Sequence, residues 1–166
     1  MVGWLVDHLS LRSATCRLCS IECNFLRPLT DPSNAAFTTD IVNWNKISDR
    51  LYIWDYVVDF HAWLMPWPNY FVLAPNIRFF RDHGVKGIFE EGNYKSYGGD
   101  LEAMKSYLMT KMMMDPSLNE TEVMADFIQG WYGHKGAVVI DAYMRAFYQS
   151  ALDTDTYLRS ACQIPS

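Results

Sequence analysis

LYIWDYVVDF, residues 51–60, is the stretch on which the fold turns. It is dense in β-branched and aromatic residues, so it reads as a strand. Downstream, MPWPNY (65–70) sets two prolines around a tryptophan and reads as a loop. A helix follows from Pro75, near its first turn, to His83, and Gly84 stands where a left-handed C-terminal cap is wanted. VKGIFE (85–90) is a second strand, ending at Glu91-Gly92, and 92–99 is a glycine-bearing loop. Three helices are predicted beyond it, over 100–114, 120–131 and 134–151. The first carries Leu101, Met104, Leu108 and Met112 on one side. Asn119 and Glu122 at the start of the second resemble a capping box. Upstream, TCRLCSIECNF (15–25) reads as a strand, PLTDPSNA (28–35) as a loop and 37–48 as a helix with Trp44 and Ile47 inward.

Strand, helix, strand, helix, strand and then helices is an alternation that implies an α/β fold, a parallel sheet with helices packed outside. Three strands do not close a barrel. A (β/α)8 barrel takes about 250 residues, so this chain accommodates the C-terminal half of one, with a helical C-terminal segment. The expected division is an N-terminal segment over 1–14, a partial barrel domain over 15–152 and a tail over 153–166.

The chain has 166 residues, half of them apolar, 15% aromatic and 20% charged, with a net charge of −5. That composition belongs to a folded domain and not to a disordered tail. No basic stripe recommends a nucleic-acid partner, and no run of 18 apolar residues recommends a membrane span. There is no GxGxxG, G-x-S-x-G or H-E-x-x-H motif, and no cofactor is expected. Cys16-x-x-Cys19 lacks a second ligand pair, and in a strand the two thiols point to opposite faces, so no metal site is expected. Met112-Met113-Met114 reads as core filler. Asn119-Glu120-Thr121 is a glycosylation sequon that also reads as a helix cap.

In a parallel barrel the working residues sit at the C-terminal ends of strands. This rule selects Trp54, Asp55, Tyr56, Asp59 and His61 after the first strand named above, and Glu90, Glu91, Asn93 and Tyr94 after the second. It also selects Asn24, Asp31 and Asn34 upstream. An acid inside an apolar strand is costly unless solvated or paired. Asp55 therefore either accepts ligand hydroxyls, over a stacking floor of Trp54 or Trp67, or makes a structural hydrogen bond to a neighbouring loop. Glu90 and Glu91 are adjacent and face opposite ways, so they cannot form one acid–base pair. A glycosidase needs two carboxyls about 5 to 10 Å apart, and Asp55 with one of the two glutamates is the candidate pair. A salt bridge from a glutamate to Arg78 or Lys95 is the alternative.

The runs Leu51–Tyr56, Met65–Asn69, Pro75–Arg78 and Gly84–Tyr94, with Cys23–Phe25 and Pro28-Leu29 ahead of them, resemble the family known as domain of unknown function 4838. The helix Leu101–Lys111 and the turn Trp131-Tyr132-Gly133 resemble it as well, and the likeness covers roughly 15–150. It implies a TIM-barrel, glycoside-hydrolase-like domain, similar to the hexosaminidase and α-glucuronidase groups. It implies a glycan as partner, with N-acetylhexosamine-containing substrates in one branch. It places Trp54, Asp55, Tyr56, Glu90, Asn93 and Tyr94 around a sugar pocket. The family usually carries Gln where this chain has Glu91, which favours Glu90, with Asp55, as the catalytic candidates. Trp54, Tyr56, Trp67, Glu91, Asn93 and Tyr94 are then the substrate-binding set. The family domain begins upstream of this sequence, so hydrolysis of O-glycosyl bonds is expected of the complete barrel, and a secreted parent is implied. The alternatives are a non-catalytic carbohydrate-binding or scaffold module, or an inactive truncated fragment that self-associates through open barrel edges.

Overall fold

The structure, a computed structural model, describes residues 14–158. His8, Cys162 and most of the predicted terminal segments lie outside the described residues. Three parallel strands form one sheet in the order β1-β2-β3: β1 is Thr15–Cys19, β2 Arg50–Tyr56 and β3 Gly87–Glu91. Helix α1 (Ala35–Ile47) joins β1 to β2, and α2 (Leu73–Asp82) joins β2 to β3. Helices α3 (Glu102–Met114) and α4 (Glu120–Asp153) follow. The expected α/β alternation is present, and three parallel strands with helices between them are consistent with part of a βα barrel.

Strand pleating divides the sheet into two unlike faces. Leu51 and Ile53 are fully buried and pack with Ile41 of α1, Phe80 of α2, Trp67 and Leu158. A second core joins α2, α3 and α4 through Ile77, Met104, Leu108, Met112, Ile128 and Met144. Each such side chain, fully buried, contributes roughly 1.5–3 kcal/mol. On the opposite face Tyr52 and Phe89 are exposed, and Tyr52, Trp54 and Phe89 belong to neither core. A barrel likewise turns one sheet face to its helices and the other to its interior.

Several expected boundaries shift for local reasons. β1 ends at Cys19, not at residue 25, because Cys23 N–H turns back to Ser20 O at 2.8 Å. β2 stops at Tyr56, and Val57 and Val58 leave the sheet for the helix-side core. The predicted helices 120–131 and 134–151 form one element broken at Gly133, whose φ of 69° and ψ of 167° are open only to glycine. Gly84 takes the expected left-handed conformation, φ 77°. Asn119 caps α4 through Thr121 N–H at 3.0 Å, but its amide meets the Glu122 carboxylate, so no reciprocal capping box forms. Of the three consecutive methionines only Met112 is core; Met114 is exposed at the end of α3. Cys16 and Cys19 do lie on opposite faces, and Cys16, Cys19 and Cys23 are all free thiols.

Candidate functional site

Register alone brings the two catalytic candidates together. Asp55 pairs with Glu90 across β2 and β3, so both side chains project from one face at the C-terminal end of the sheet. Their carboxyls meet within hydrogen-bonding reach. Ser20, one residue beyond β1, donates its hydroxyl to Asp55 Oδ1. Tyr56 N–H donates to the same oxygen at 2.9 Å. Among the described residues, no donor reaches the buried Glu90 Oε2.

This asymmetry locates the proton. Burial pushes the Asp55 carboxyl up to about 6, against the pull of the Ser20, Tyr56 and Glu90 hydrogen bonds. Burial raises Glu90 well above the usual carboxyl range, and the Asp55 charge raises it further. With donors supplied to Asp55 and none to Glu90, the shared proton rests on Glu90 and is given to Asp55. Cys23 stands close enough to feel the pair: burial first, then Asp55 and Glu22, push its thiol up to about 12. Neither glutamate has the salt bridge that Arg78 or Lys95 would give, since Arg78 is taken by Glu120 at 2.6 Å and Lys95 lies over the Tyr94 ring.

Glu91 lies on the opposite, open face. Its Oε2 accepts from Trp54 Nε1–H at 2.6 Å, so the indole fixes the carboxylate in place. Around it the aromatic rings form a continuous wall. Phe89 meets Trp54 edge-on at 5.1 Å, and Trp54 stacks towards Tyr56 at 6.4 Å. Tyr56 meets Phe60, Phe60 meets Trp63, and Trp63 meets Tyr94, at 5.5, 5.0 and 5.3 Å. The Arg17 guanidinium lies 5.5 Å over the Trp54 ring. The wall runs from the open face into the loops that follow β2 and β3.

The sequence profile of the DUF4838 family, a domain of unknown function, matches residues 12–145. The chain belongs to the DUF4838 family. No match was found among curated proteins or solved structures.

In this DUF4838 chain the remaining expected residues divide between site and scaffold. Trp67 is 3% exposed and packs on Phe25 at 6.2 Å, so it offers no free ring as a stacking floor. Asn24 and Asn34 are buried together: Asn34 accepts from Asn24 N–H at 2.7 Å and donates to three carbonyls of the loop. Asp31 caps the short 3-10 turn Pro32–Asn34. Asp59 accepts from His61 N–H at 2.8 Å, a turn within its own loop. These four build loops and do not point into the site. Asn93 is central to the β3–α3 loop, donating to Ser96 and to Glu102 Oε2 and accepting from the Lys95 and Ser96 N–H groups.

Sequence reasoning did not single out a buried lock beneath the wall. Asp100 Oδ2 accepts from Trp67 N–H at 2.9 Å and from the Tyr70 hydroxyl. Lys105, 2% exposed, donates to Trp67 O at 2.8 Å, lies 3.5 Å from Asp100 and sits over the Tyr70 ring. Burial drives its ammonium down to about 8 despite Asp100. The lock ties the loop after β2 to the loop after β3, the two loops that carry the outer half of the wall. Its signal was present: Lys105 occupies the apolar stripe of α3, between Leu101 and Leu108. Among the described residues, no group of three or more His, Cys, Asp or Glu could hold a metal, and no helix is long and apolar enough to cross a membrane.

Proposed function

We propose that this domain handles glycans as part of a glycoside-hydrolase-like barrel. One observation carries the reading. At the C-terminal ends of parallel strands, a carboxylate fixed by the Trp54 indole (Glu91) stands among aromatic rings on the open face, while Glu90, behind it on the other face, is held well above the usual carboxyl range by burial. Cleaving an O-glycosyl bond requires a proton for the departing oxygen, and Glu90 is the group that holds one. Asp55 is the positioning residue that keeps it there. Trp54, Tyr56 and Tyr94 supply ring faces for the apolar side of a sugar. Glu91 and Asn93 supply partners for its hydroxyl or acetamido groups. Asp55 and Glu90 touch, so they are not the two separated carboxyls that flank a scissile bond. Glu91, on the opposite face, is not the catalytic partner of Glu90; it is a binding carboxylate among the rings.

A second reading, a non-catalytic carbohydrate-binding module, is favoured by the placement of Asp55 and Glu90 on the helix-covered face, opposite the rings. An aryl β-N-acetylglucosaminide, assayed with this chain and with a complete DUF4838 relative, separates the two. Turnover that falls about 100-fold or more in the Glu90→Gln variant, with binding retained, supports the hydrolase. Binding without turnover in either protein supports the binding module. Absence of both contradicts the glycan reading.

A further inference from the structure

We propose that the cleft between Tyr97 and Tyr132 is a second saccharide subsite, separate from the Trp54–Glu91 face. The ligand class rests on the glycan reading above; the site itself rests on its own geometry. The cleft has a volume of about 440 Å³ and is lined by Tyr97, Gly98, Gly99, Glu102, Ser106 and Tyr132. That size falls within the range of small-molecule sites. It lies where the β3–α3 loop and the start of α3 meet α4 next to its break at Gly133.

The ring of Tyr97 is fully exposed, and Tyr132 is 40% exposed. An exposed ring on a mobile loop would mean little, but this loop is pinned. Asn93 Oδ1 receives two backbone N–H groups, its amide reaches Ser96 and Glu102, and Ser96 Oγ donates to Gly98 O at 2.6 Å. Tyr97 is therefore held outward by the hydrogen bonding on both sides of it. Gly98 and Gly99 leave a floor of bare backbone, with nothing within 4 Å of a Cβ placed on Gly98. Glu102 offers carboxylate oxygens and Ser106 a hydroxyl. A ring face, a carboxylate, a hydroxyl and open backbone suit a ligand with one apolar face and many hydroxyls. Tyrosine and glutamate also suit an ammonium ion. The Lys105 ammonium lies within electrostatic reach of Glu102 and favours the neutral sugar over a second cation. Asn93 bonds Glu102 Oε2 at 3.1 Å and so joins this cleft to the loop bearing Tyr94.

The test is a ¹H–¹⁵N titration of the full chain with N,N′-diacetylchitobiose, with tri-lysine as the cationic control. The amides of Gly98, Gly99 and Ser106 are expected to shift with the sugar and not with the peptide. Tyr97→Ala, an exposed position whose loss leaves the melting temperature unchanged, is expected to weaken that saturation about tenfold, or 1.4 kcal/mol. It leaves shifts at the Trp54 indole N–H intact, and Trp54→Ala does the converse. Shifts at Trp54 alone overturn the cleft and leave the glycan reading standing. Shifts in the cleft with tri-lysine alone overturn the saccharide assignment. No sugar-dependent shift at either place overturns both.

Discussion

Glu90 and Asp55 differ less in chemistry than in who donates to them, and this makes one an acid and the other its anchor. Two carboxyls in contact cannot both ionise cheaply. The folded chain therefore binds a proton that the unfolded chain releases, since Asp55 rises from 3.8 to about 6 and Glu90 rises further. A proton held by the folded state alone favours folding at acid pH. Stability from this pair is largest below about pH 4 and is lost as pH rises through 6 and above. For Asp55 the effect is of the order of 3 kcal/mol. Urea unfolding at pH 4 and pH 8 should show most of that loss in the native chain and a smaller one in Glu90→Gln, which removes the share of Glu90 and leaves Asp55 buried. Equal slopes in the two proteins would rule out the shared proton. The adjacency of Glu90 and Glu91 was enough to place them on opposite faces. Asp55 and Glu90 could be named as a pair, but their direct contact was not legible, because it depends on a cross-strand register that no local pattern encodes.

Elements set what these residues can reach. β2 was readable from composition, and the α2 cap from Gly84, because both are local effects. A Cβ at Gly84 would lie 2.5 Å from Asn45 Oδ1, on a backbone with φ 77°. Gly84→Ala should therefore cost about 1–2 kcal/mol, read as a lower urea midpoint with an unchanged slope. The lock in α3 was less legible, since a lysine on an apolar stripe announces burial but not its partners. Removing Asp100 leaves Trp67 N–H without its acceptor, the Tyr70 hydroxyl without its carboxylate and the buried Lys105 ammonium without its counter-charge. Asp100→Ala should cost about 3–5 kcal/mol, whereas Lys105→Met, which removes the buried charge itself, should cost clearly less. A ranking in the opposite order would mean that the ammonium, and not the carboxylate, holds the two loops together.

At the scale of the whole molecule, helices cover one sheet face and leave the other to Tyr52, Trp54 and Phe89. That division was implied by the strand–helix alternation, but the identity of the open face was not, because β2 is apolar or aromatic on both sides. Trp67 shows the limit: a tryptophan between prolines looks equally suited to a surface platform or to a core, and only packing on Phe25 decides. The central claim is that the open face, with Glu91 held by the Trp54 indole, meets a sugar. The most direct measurement follows the Trp54 indole N–H resonance as an N-acetylglucosamine oligosaccharide is titrated into the full chain. The account predicts a saturable shift of that resonance together with the amides of Glu91, Asn93 and Tyr94, abolished in Trp54→Ala. A Trp54 resonance that does not respond, while the chain remains folded, would contradict it.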